Sequence, residues 1–473
     1  MTLRQPACPK LMSHVHATAL FAAFCTANAC GGSSATPAAD ASTDGGDGGT
    51  APPPDASDAS SPQDASVPEG AAPSPEASID ATADAAPYPA FAVDVARITD
   101  LGGPTETAPA IVTVSWSADT NAAVWEAFGD TIGASSYWHT INSEYSVGAG
   151  SSGGHVRIAT TPMAVMTNLD VDALVTSGAN STWPAATANT VYAVYLPPAT
   201  RLYLNGEPDA GGLDPCQTGV PGYHTETQSS PRLVYTVVEQ CPGAAVSALT
   251  FTASLELNEA ATNPMVFTNP AYAGFDTDHM AFELFTGFQH EVGDACRRAV
   301  TTPDVTTEPN FAYSVARQWS NASAAAGHDW CVPASSPVFY NTTLLPQSGE
   351  GTISVNVAPL GMGGGTSSTR GFVGTLGQAL VIPVGLFSDG PTAGPFNLDV
   401  DTTWPVVDAN GNAIANGSAT VSFDHSSGVN GDLVKMTVTP TAWSPLGVVY
   451  VAIRSLLPGQ SQAHELPILI GQP

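Results

Sequence analysis

The clearest periodic pattern in this 473-residue chain lies between positions 249 and 264. Apolar residues recur there at every fourth position: Leu249, Ala253, Leu257 and Ala261. This spacing predicts a helix with one packed face, and Pro264 ends it because a proline disfavours helical backbone in the preceding residue. At 3.6 residues per turn, Leu255, Glu256 and Glu259 fall within one arc on the other side. We therefore expect a helix that displays two carboxylates together.

The pattern changes after Thr342. Short runs rich in β-branched and aromatic residues follow one another there, without helical periodicity: Gly351–Val357, Ala379–Phe387, Phe396–Val400, Ala419–Phe423, Leu433–Thr439 and Gly447–Arg454. Asn410-Gly411 and Asn430-Gly431 are typical of hairpin turns. Strands at this spacing predict an immunoglobulin-like β-sandwich over residues 342–473. Residues 88–341 mix β-like and helix-like runs, so the predicted class is α+β followed by an all-β domain.

A His-Glu pair, His464-Glu465, lies near the end of this β-rich part. Pro467 excludes a metal-binding helix at this position, because proline breaks a helix interior. We expect both residues to be surface groups on an edge strand.

The N-terminus has the layout of a signal peptide over residues 1–29. Arg4 and Lys10 precede an apolar run, and small residues stand just before Cys30. The apolar run is too short to cross a membrane as a mature helix. Cys30 followed by Gly-Gly resembles a bacterial lipobox, although Ala27 stands where leucine is usual. We expect a lipid anchor on Cys30 in the cell envelope, with plain secretion as the alternative.

Residues 30–87 form an acidic segment of Ala, Asp, Ser, Pro, Gly and Thr. Between Gly31 and Pro87 it carries ten acidic residues and no Lys or Arg, so it cannot bury a core and is predicted to be a disordered, extended spacer. The whole chain has a formal net charge of −30. That charge repels phosphate backbones and excludes nucleic acid as a partner.

Export places the cysteines in an oxidising compartment. If Cys8 and Cys25 leave with the signal peptide and Cys30 is acylated, four cysteines remain, and four allow three pairings. Proximity and the surrounding turn residues favour Cys216–Cys241 and Cys296–Cys331. A four-thiolate zinc site is the alternative, but no Cys-x-x-Cys spacing supports it.

Several ordered motifs between about Ala108 and Pro333 resemble the EXORDIUM-like, phosphate-induced protein family and its bacterial relatives. In order they are Cys-x5-Gly-Tyr-His, Gln-Cys-Pro-Gly, Glu-Leu-x-Glu-x-x-Thr-Asn-Pro, Glu-x-Gly-Asp-x-Cys and Gln-Trp-x-Asn. The helix of that family usually begins His-Glu and resembles half of a zincin site. In this chain Leu255 occupies the histidine position, and an aliphatic side chain offers no lone pair to a metal.

The resemblance implies a partial zinc site. Glu256 is its implied general base, and its implied ligands are Glu259 and a carboxylate from Glu291 or Asp294. The missing nitrogen could come from His290 or from His224.

Two functions follow from these features. One is a binding or structural surface protein without metal, whose degenerate zincin-like domain and sandwich meet an extracellular polymer or protein. The other is a zinc-dependent peptidase with a substitute histidine. Glu256 and Glu259 could also have no chemical role and simply solvate the helix, or pair with Arg297, Arg298 or Arg317.

Overall fold

The structure is a computed structural model. It describes residues 86–218, 221–286, 291–297, 305–307, 311–361, 365–403, 406–407, 413–460 and 463–472. The predicted signal peptide, Cys30, nearly all of the predicted spacer, His290 and Asn410-Gly411 lie outside these residues. Among the described residues, no helix combines the length and the apolar character needed to cross a membrane.

Thirteen strands of the described residues come before residue 340. They are β1 (Ile98–Asp100), β2 (Ala110–Trp116), β3 (Ser151–Ile158), β4 (Val165–Thr167), β5 (Thr190–Leu196), β6 (Arg201–Tyr203), β7 (Gly222–Glu226), β8 (Val234–Glu239), β9 (Tyr272–Phe275), β10 (Val305–Thr307), β11 (Ser314–Ala316), β12 (Gln318–Trp319) and β13 (Cys331–Val332).

All eight described α-helices lie in the same part of the chain. They are α1 (Ala122–Ile132), α2 (Ser136–Asn142), α3 (Asn168–Ala179), α4 (Pro215–Thr218), α5 (Val246–Thr262), α6 (Met280–Thr286), α7 (Asp294–Arg297) and α8 (Asn321–Ala325). Short 3-10 helices occur at Ser143–Tyr145, Pro208–Ala210, Thr277–His279 and, later in the chain, Ala358–Leu360.

The central sheet of this part has the order β3-β2-β5-β8-β7. Its first four strands are parallel, and β7 is antiparallel to β8 at the edge. Apolar side chains of α1, α2 and α5 cover one face, and those of α3 cover the other. Every residue of β5 is buried, as expected for a parallel strand packed on both faces.

In the part of the chain that the structure describes, twelve strands follow from Tyr340 onward. They are β14 (Tyr340–Leu344), β15 (Gly351–Asn356), β16 (Thr366–Val373), β17 (Leu380–Ser388), β18 (Phe396–Asp401), β19 (Val406–Val407), β20 (Ala413–Ile414), β21 (Ser418–Phe423), β22 (Ser427–Gly428), β23 (Leu433–Ala442), β24 (Val448–Leu456) and β25 (His464–Gly471).

Most of these strands form two sheets, with orders β14-β17-β23-β21 and β15-β16-β25-β24-β18-β22. Ile382 and Met436 of the first sheet share one apolar cluster with Val451 and Ile468 of the second, so the sheets pack face to face. The six predicted strand segments correspond to β15, β17, β18, β21, β23 and β24. The α+β class with a β-rich C-terminal part is confirmed.

Two details of the β-rich part differ from expectation. His464 and Glu465 are both 6 % exposed, and their strand β25 lies between β16 and β24, so they are not surface groups on an edge strand. Residues 430–431 do form a turn. This turn joins β22 to β23, which belong to different sheets, so it is not a hairpin.

Apolar packing is continuous across the predicted boundary at residues 341/342. A row of aromatic rings runs from Trp319 through Trp330 and Phe339 to Phe387 on β17. Helix α6 packs on the outer face of the six-stranded sheet, where Leu284 and Phe285 join Tyr450 and Leu469 in one cluster. Residues from Ala86 onward belong to one compact unit, and the two-domain division stays a prediction.

The first described residues of the chain pack on the β-rich part. Asn430 donates its Nδ2 hydrogen to the Pro87 carbonyl at 3.0 Å, and its Oδ1 accepts from the backbone N–H groups of Ala90 and Ser388, both at 3.0 Å. The Phe91 ring lies directly over Gly385 of β17, where even a Cβ atom would come within 2.7 Å of it. These contacts, which we call the Asn430 clamp, hold residues 87–91 against the four-stranded sheet.

Glu106 is a buried carboxyl that forms no ion pair with the other described residues. Glu106 is 2 % exposed, its Oε2 has no hydrogen-bond partner among the described residues, and burial raises its pKa to about 8. The fold therefore favours protonated Glu106. This contribution to stability is fully present below the unfolded pKa near 4.5 and is lost as the pH rises to about 8.

We therefore expect Glu106→Gln to match the wild type in stability at pH 4 and to exceed it by about 2 kcal/mol at pH 6, with a larger difference at pH 9. Urea unfolding of both proteins across this range measures the difference. Glu207→Gln, at an exposed position, is the control and should change stability by less than about 0.5 kcal/mol. A difference for Glu106→Gln that stays constant with pH would contradict the assignment.

Candidate functional site

Strand β7 and helix α5 bring three predicted site residues together. The edge strand β7 directs His224 toward α5. His224 Nδ1 lies 3.8 Å from Glu256 Oε2 and 3.7 Å from Glu259 Oε2. The side chains of His224, Glu256 and Glu259 are 3 %, 3 % and 4 % exposed. The two carboxylates are therefore in contact with an imidazole in the interior of the fold.

Glu291 completes this group from a separate turn that precedes α7. Its Oε1 lies 3.2 Å from His224 Nε2, on the other side of the imidazole ring from α5. Asn263, which ends α5, donates its Nδ2 hydrogen to the same Glu291 oxygen at 2.7 Å. The Asn263 Oδ1 accepts from the Ala271 backbone N–H at 2.8 Å. Asn263 is therefore held at both ends of its amide and fixes the position of Glu291.

The Glu291 turn also contacts α5 directly. The backbone N–H of Asp294 donates to Glu259 Oε1 at 3.1 Å, which leaves Glu259 Oε2 as the oxygen nearer His224. The Trp319 N–H on β12 donates to the Val292 carbonyl at 2.8 Å. Glu259 and Glu291 thus each have one oxygen fixed by a hydrogen bond from the protein.

Two glycines permit this close approach. A Cβ on Gly222, the first residue of β7, would lie 2.5 Å from Thr252 Cγ2 and 3.1 Å from Glu256 Cγ. A Cβ on Gly293 would lie 2.2 Å from Leu255 Cδ1 and 2.6 Å from Glu259 Oε1. Any larger residue at either position would push a ligand-bearing segment away from α5.

From Leu249 to Thr262, every residue of helix α5 except Phe251 is buried. Buried hydrogen bonds hold its polar residues. Asn258 Nδ2 donates to the Tyr137 hydroxyl and its Oδ1 accepts from Asn142, both at 2.8 Å. Ser254 Oγ accepts from the Ala316 N–H at 2.8 Å. The predicted packed face is confirmed, and the other side, which carries Glu256 and Glu259, is covered as well, by β7 and the Glu291 turn.

The alternative in which Glu256 and Glu259 are solvated is wrong for the same reason. Arg317 does not pair with them either. It forms an ion pair with Asp329, and its Nε donates to the Pro333 carbonyl at 2.8 Å. The side chains of Arg297 and Arg298 lie outside what the structure describes.

The charges of the site act strongly on one another. Burial lowers the pKa of His224, but the charge of Glu291 and the neighbouring carboxylates of Glu256 and Glu259 raise it well above its ordinary value. Burial and the negative charges of Asp294 and Glu291 raise the pKa of Glu259 well above its ordinary value. In the protein without a cation, protons therefore balance part of the buried negative charge.

The donor set fits a metal ion. Ligand atoms of His224, Glu259 and Glu291 all lie within 4.8 Å of one another, and imidazole with carboxylates is a set that divalent transition metals bind. His224 Nε2 is buried and has no hydrogen-bond partner of good geometry among the described residues, despite its proximity to Glu291. A cation would satisfy these donors and displace the protons. Glu256 lies beside the set, within 3.8 Å of His224.

The structure thus brings His224, Glu256, Glu259 and Glu291 together. Asp294 enters through its backbone N–H, and its carboxylate is close enough to raise the pKa of Glu259. Leu255 is 2 % exposed and packs at Gly293. Its aliphatic side chain offers no ligand atom to a metal. His290 lies outside the described residues.

Sequence reasoning missed two site residues, although both stand in the quoted motifs. Asn263, of Thr-Asn-Pro, positions Glu291. Gln318, of Gln-Trp-x-Asn, is fully buried, and a Cβ on Gly293 would lie within 3.2 Å of its Nε2 and close to Glu259. Neither polar atom of the Gln318 amide has a hydrogen-bond partner among the described residues. Nothing in a single sequence shows that these two amides lie beside Glu259 and Glu291.

Both preferred disulfides are confirmed. Cys216 pairs with Cys241, and Cys296 pairs with Cys331. The four-thiolate zinc site is therefore excluded.

No family model, curated protein or solved structure matches this chain. The resemblance to the EXORDIUM-like family stays a prediction, and the site must be interpreted from its own geometry.

Proposed function

We infer that this chain is an exported cell-surface protein, held at a membrane through a lipid on Cys30, whose folded part binds a divalent cation at His224, Glu259 and Glu291. The domain is a degenerate zincin-like one, and the cation has a structural role. The observation that carries the proposal is that ligand atoms of these three residues lie within 4.8 Å of one another, while the buried Nε2 of His224 has no hydrogen-bond partner among the described residues. This proposal differs from the metal-free role that Leu255 predicts, because here strand β7 supplies the nitrogen ligand through His224.

The burial of the site favours a structural cation over a catalytic one. A catalytic metal needs an open coordination position that water and substrate can reach. The side chains of His224, Glu256 and Glu259 are at most 4 % exposed. The cation would cross-link β7, α5 and the Glu291 turn, and its binding free energy would add to that of folding.

The proposed partners of the protein lie outside the cell. The immunoglobulin-like arrangement proposed for the two packed sheets supports a role in contacting an extracellular polymer or protein. The acidic segment before residue 88 would serve as the spacer between the anchor and this folded part.

Metal content and thermal unfolding test the cation site. We expect the purified protein to hold one divalent cation per chain and to melt at lower temperature after a chelator removes it. His224→Ala and Glu259→Gln should each lower cation affinity about 100-fold or more, because each removes a ligand. His425→Ala, at an exposed histidine, is the matched control. Wild-type protein that binds no Zn²⁺, Mn²⁺ or Ca²⁺ and melts at the same temperature with or without chelator would exclude the site.

A second candidate function is a zinc-dependent peptidase. One observation favours it: Glu256 lies within 3.8 Å of His224, beside the donor set, where a general base is needed. A bound zinc ion would supply the charge that acidifies a water molecule, and Glu256 would accept its proton. Protein cleavage that Glu256→Gln abolishes would favour this function. If cleavage appears only after Leu255→His, the natural chain is not an enzyme.

A further inference from the structure

Both disulfides hold segments that carry ligands of the proposed cation site, but they differ in exposure. Cys296 and Cys331 are 0 % and 1 % exposed, whereas Cys216 and Cys241 are half-buried. A soluble thiol therefore reaches Cys216–Cys241 first. Any redox sensitivity of the protein at low thiol concentration should arise at this bond.

The Cys216–Cys241 bond encloses the strands that position His224. Cys216 lies in α4, just before β7, and Cys241 lies between the end of β8 and the start of α5. The disulfide thus closes a loop that contains the whole β7–β8 hairpin, with a sequence separation of 25. A cross-link of this kind restricts the conformations of the enclosed chain.

Backbone pairing holds β7 along one edge only. Among the described residues its one strand partner is β8, over the register Gly222↔Val238 to Glu226↔Val234. Because of Gly222, it lies against Thr252 and Glu256 of α5 without a side chain between them. A small shift of this strand moves His224 away from Glu259 and Glu291, which belong to other segments.

We propose that the Cys216–Cys241 disulfide controls the cation affinity of His224, Glu259 and Glu291, so that the site binds its cation tightly only in the oxidised protein. This inference rests on the proposed function. A dithiol opens the bond in a balanced exchange. One of its thiolates attacks a cysteine sulfur and displaces the other cysteine as a thiolate, which takes up a proton. The second dithiol sulfur then closes a cyclic disulfide and releases the first cysteine as a thiol.

The test is calorimetric titration of the purified protein with Mn²⁺. Manganese suits this choice because it prefers oxygen and imidazole donors to thiolates, so the freed thiols beside Glu239 do not bind it in place of the site. The oxidised protein, protein reduced at low dithiothreitol with only Cys216–Cys241 opened, as verified by mass spectrometry, and Cys216→Ser/Cys241→Ser are compared. We expect the last two to bind Mn²⁺ at least about tenfold more weakly.

His224→Ala provides the internal control. If the disulfide acts by positioning His224, opening it in His224→Ala should leave the residual Mn²⁺ affinity unchanged. Equal affinity of the oxidised protein and of reduced protein that keeps its wild-type circular dichroism would overturn the proposal, even if the double serine variant fails to fold. An equal loss on reduction in His224→Ala would also overturn it. If the oxidised protein binds neither Mn²⁺ nor another divalent cation, the proposed function itself fails, which is a different result.

Discussion

Arg317→Met is expected to lower the free energy of unfolding by about 3–5 kcal/mol, because it leaves the buried Asp329 carboxylate without its charged partner. Arg317 and Asp329 are 2 % and 4 % exposed. Arg317 also donates to the backbone carbonyls of Pro333 and Cys331, and these oxygens would lose a donor in the interior. Urea unfolding of the oxidised protein measures the loss.

A double variant separates the effect of the unpaired Asp329 charge from the effect of lost packing, and a surface variant serves as the control. Arg317→Met/Asp329→Asn removes the charge, and its Asn can still accept from the Cys331 N–H that Asp329 binds at 3.0 Å. We expect this double variant to be more stable than Arg317→Met alone. Arg157→Met is the surface control: Arg157 pairs with Glu126 at 2.6 Å but is 48 % exposed, so the loss should stay below about 1 kcal/mol. A loss of similar size at both arginines would refute the role assigned to burial.

The second large effect is expected for Gly293→Ala. The added methyl group would overlap Leu255 Cδ1 and Glu259 Oε1, so the turn that carries Glu291 must move away from α5. We expect a loss of about 2–4 kcal/mol in stability, together with loss of measurable cation binding, because Glu259 and Glu291 no longer converge.

Gly394→Ala is the matched control, since no atom lies within 4 Å of the position its Cβ would take. Gly293→Ala/Leu255→Ala relieves one of the two overlaps. It should recover part of the stability, while cation affinity stays low because the overlap with Glu259 remains. Wild-type cation affinity in Gly293→Ala would show that the turn does not need its close contact with α5.

Local patterns in the sequence predict the elements of this fold well. The four-residue spacing from Leu249 and the stop at Pro264 predict a helix that the structure has at Val246–Thr262. The six predicted C-terminal strand segments have counterparts because alternation and turn residues are local signals. Proximity in the chain was also enough to choose the two disulfide pairings.

Burial and the partners of each side chain could not be predicted in the same way. The sequence leaves open whether Glu256 and Glu259 are solvated, because nothing near them in sequence shows that β7 and the Glu291 turn cover α5. The sequence predicts an edge strand at His464-Glu465, because it does not show that β25 lies between two other strands. The sequence offers His224 and His290 equally as the source of the missing nitrogen ligand. Only the antiparallel placement of β7 at the sheet edge distinguishes His224. These properties depend on contacts between distant segments.

The Asn430 clamp has a mechanical consequence. In a chain held by its N-terminus, tension travels along the backbone to Pro87 and first loads the three hydrogen bonds of Asn430 and the contact of Phe91 with Gly385. These contacts belong to the four-stranded sheet, whereas His224, Glu259 and Glu291 lie on other elements. We expect a pull on the N-terminal side of Pro87 to separate residues 87–91 from this sheet before it disrupts the contacts around His224.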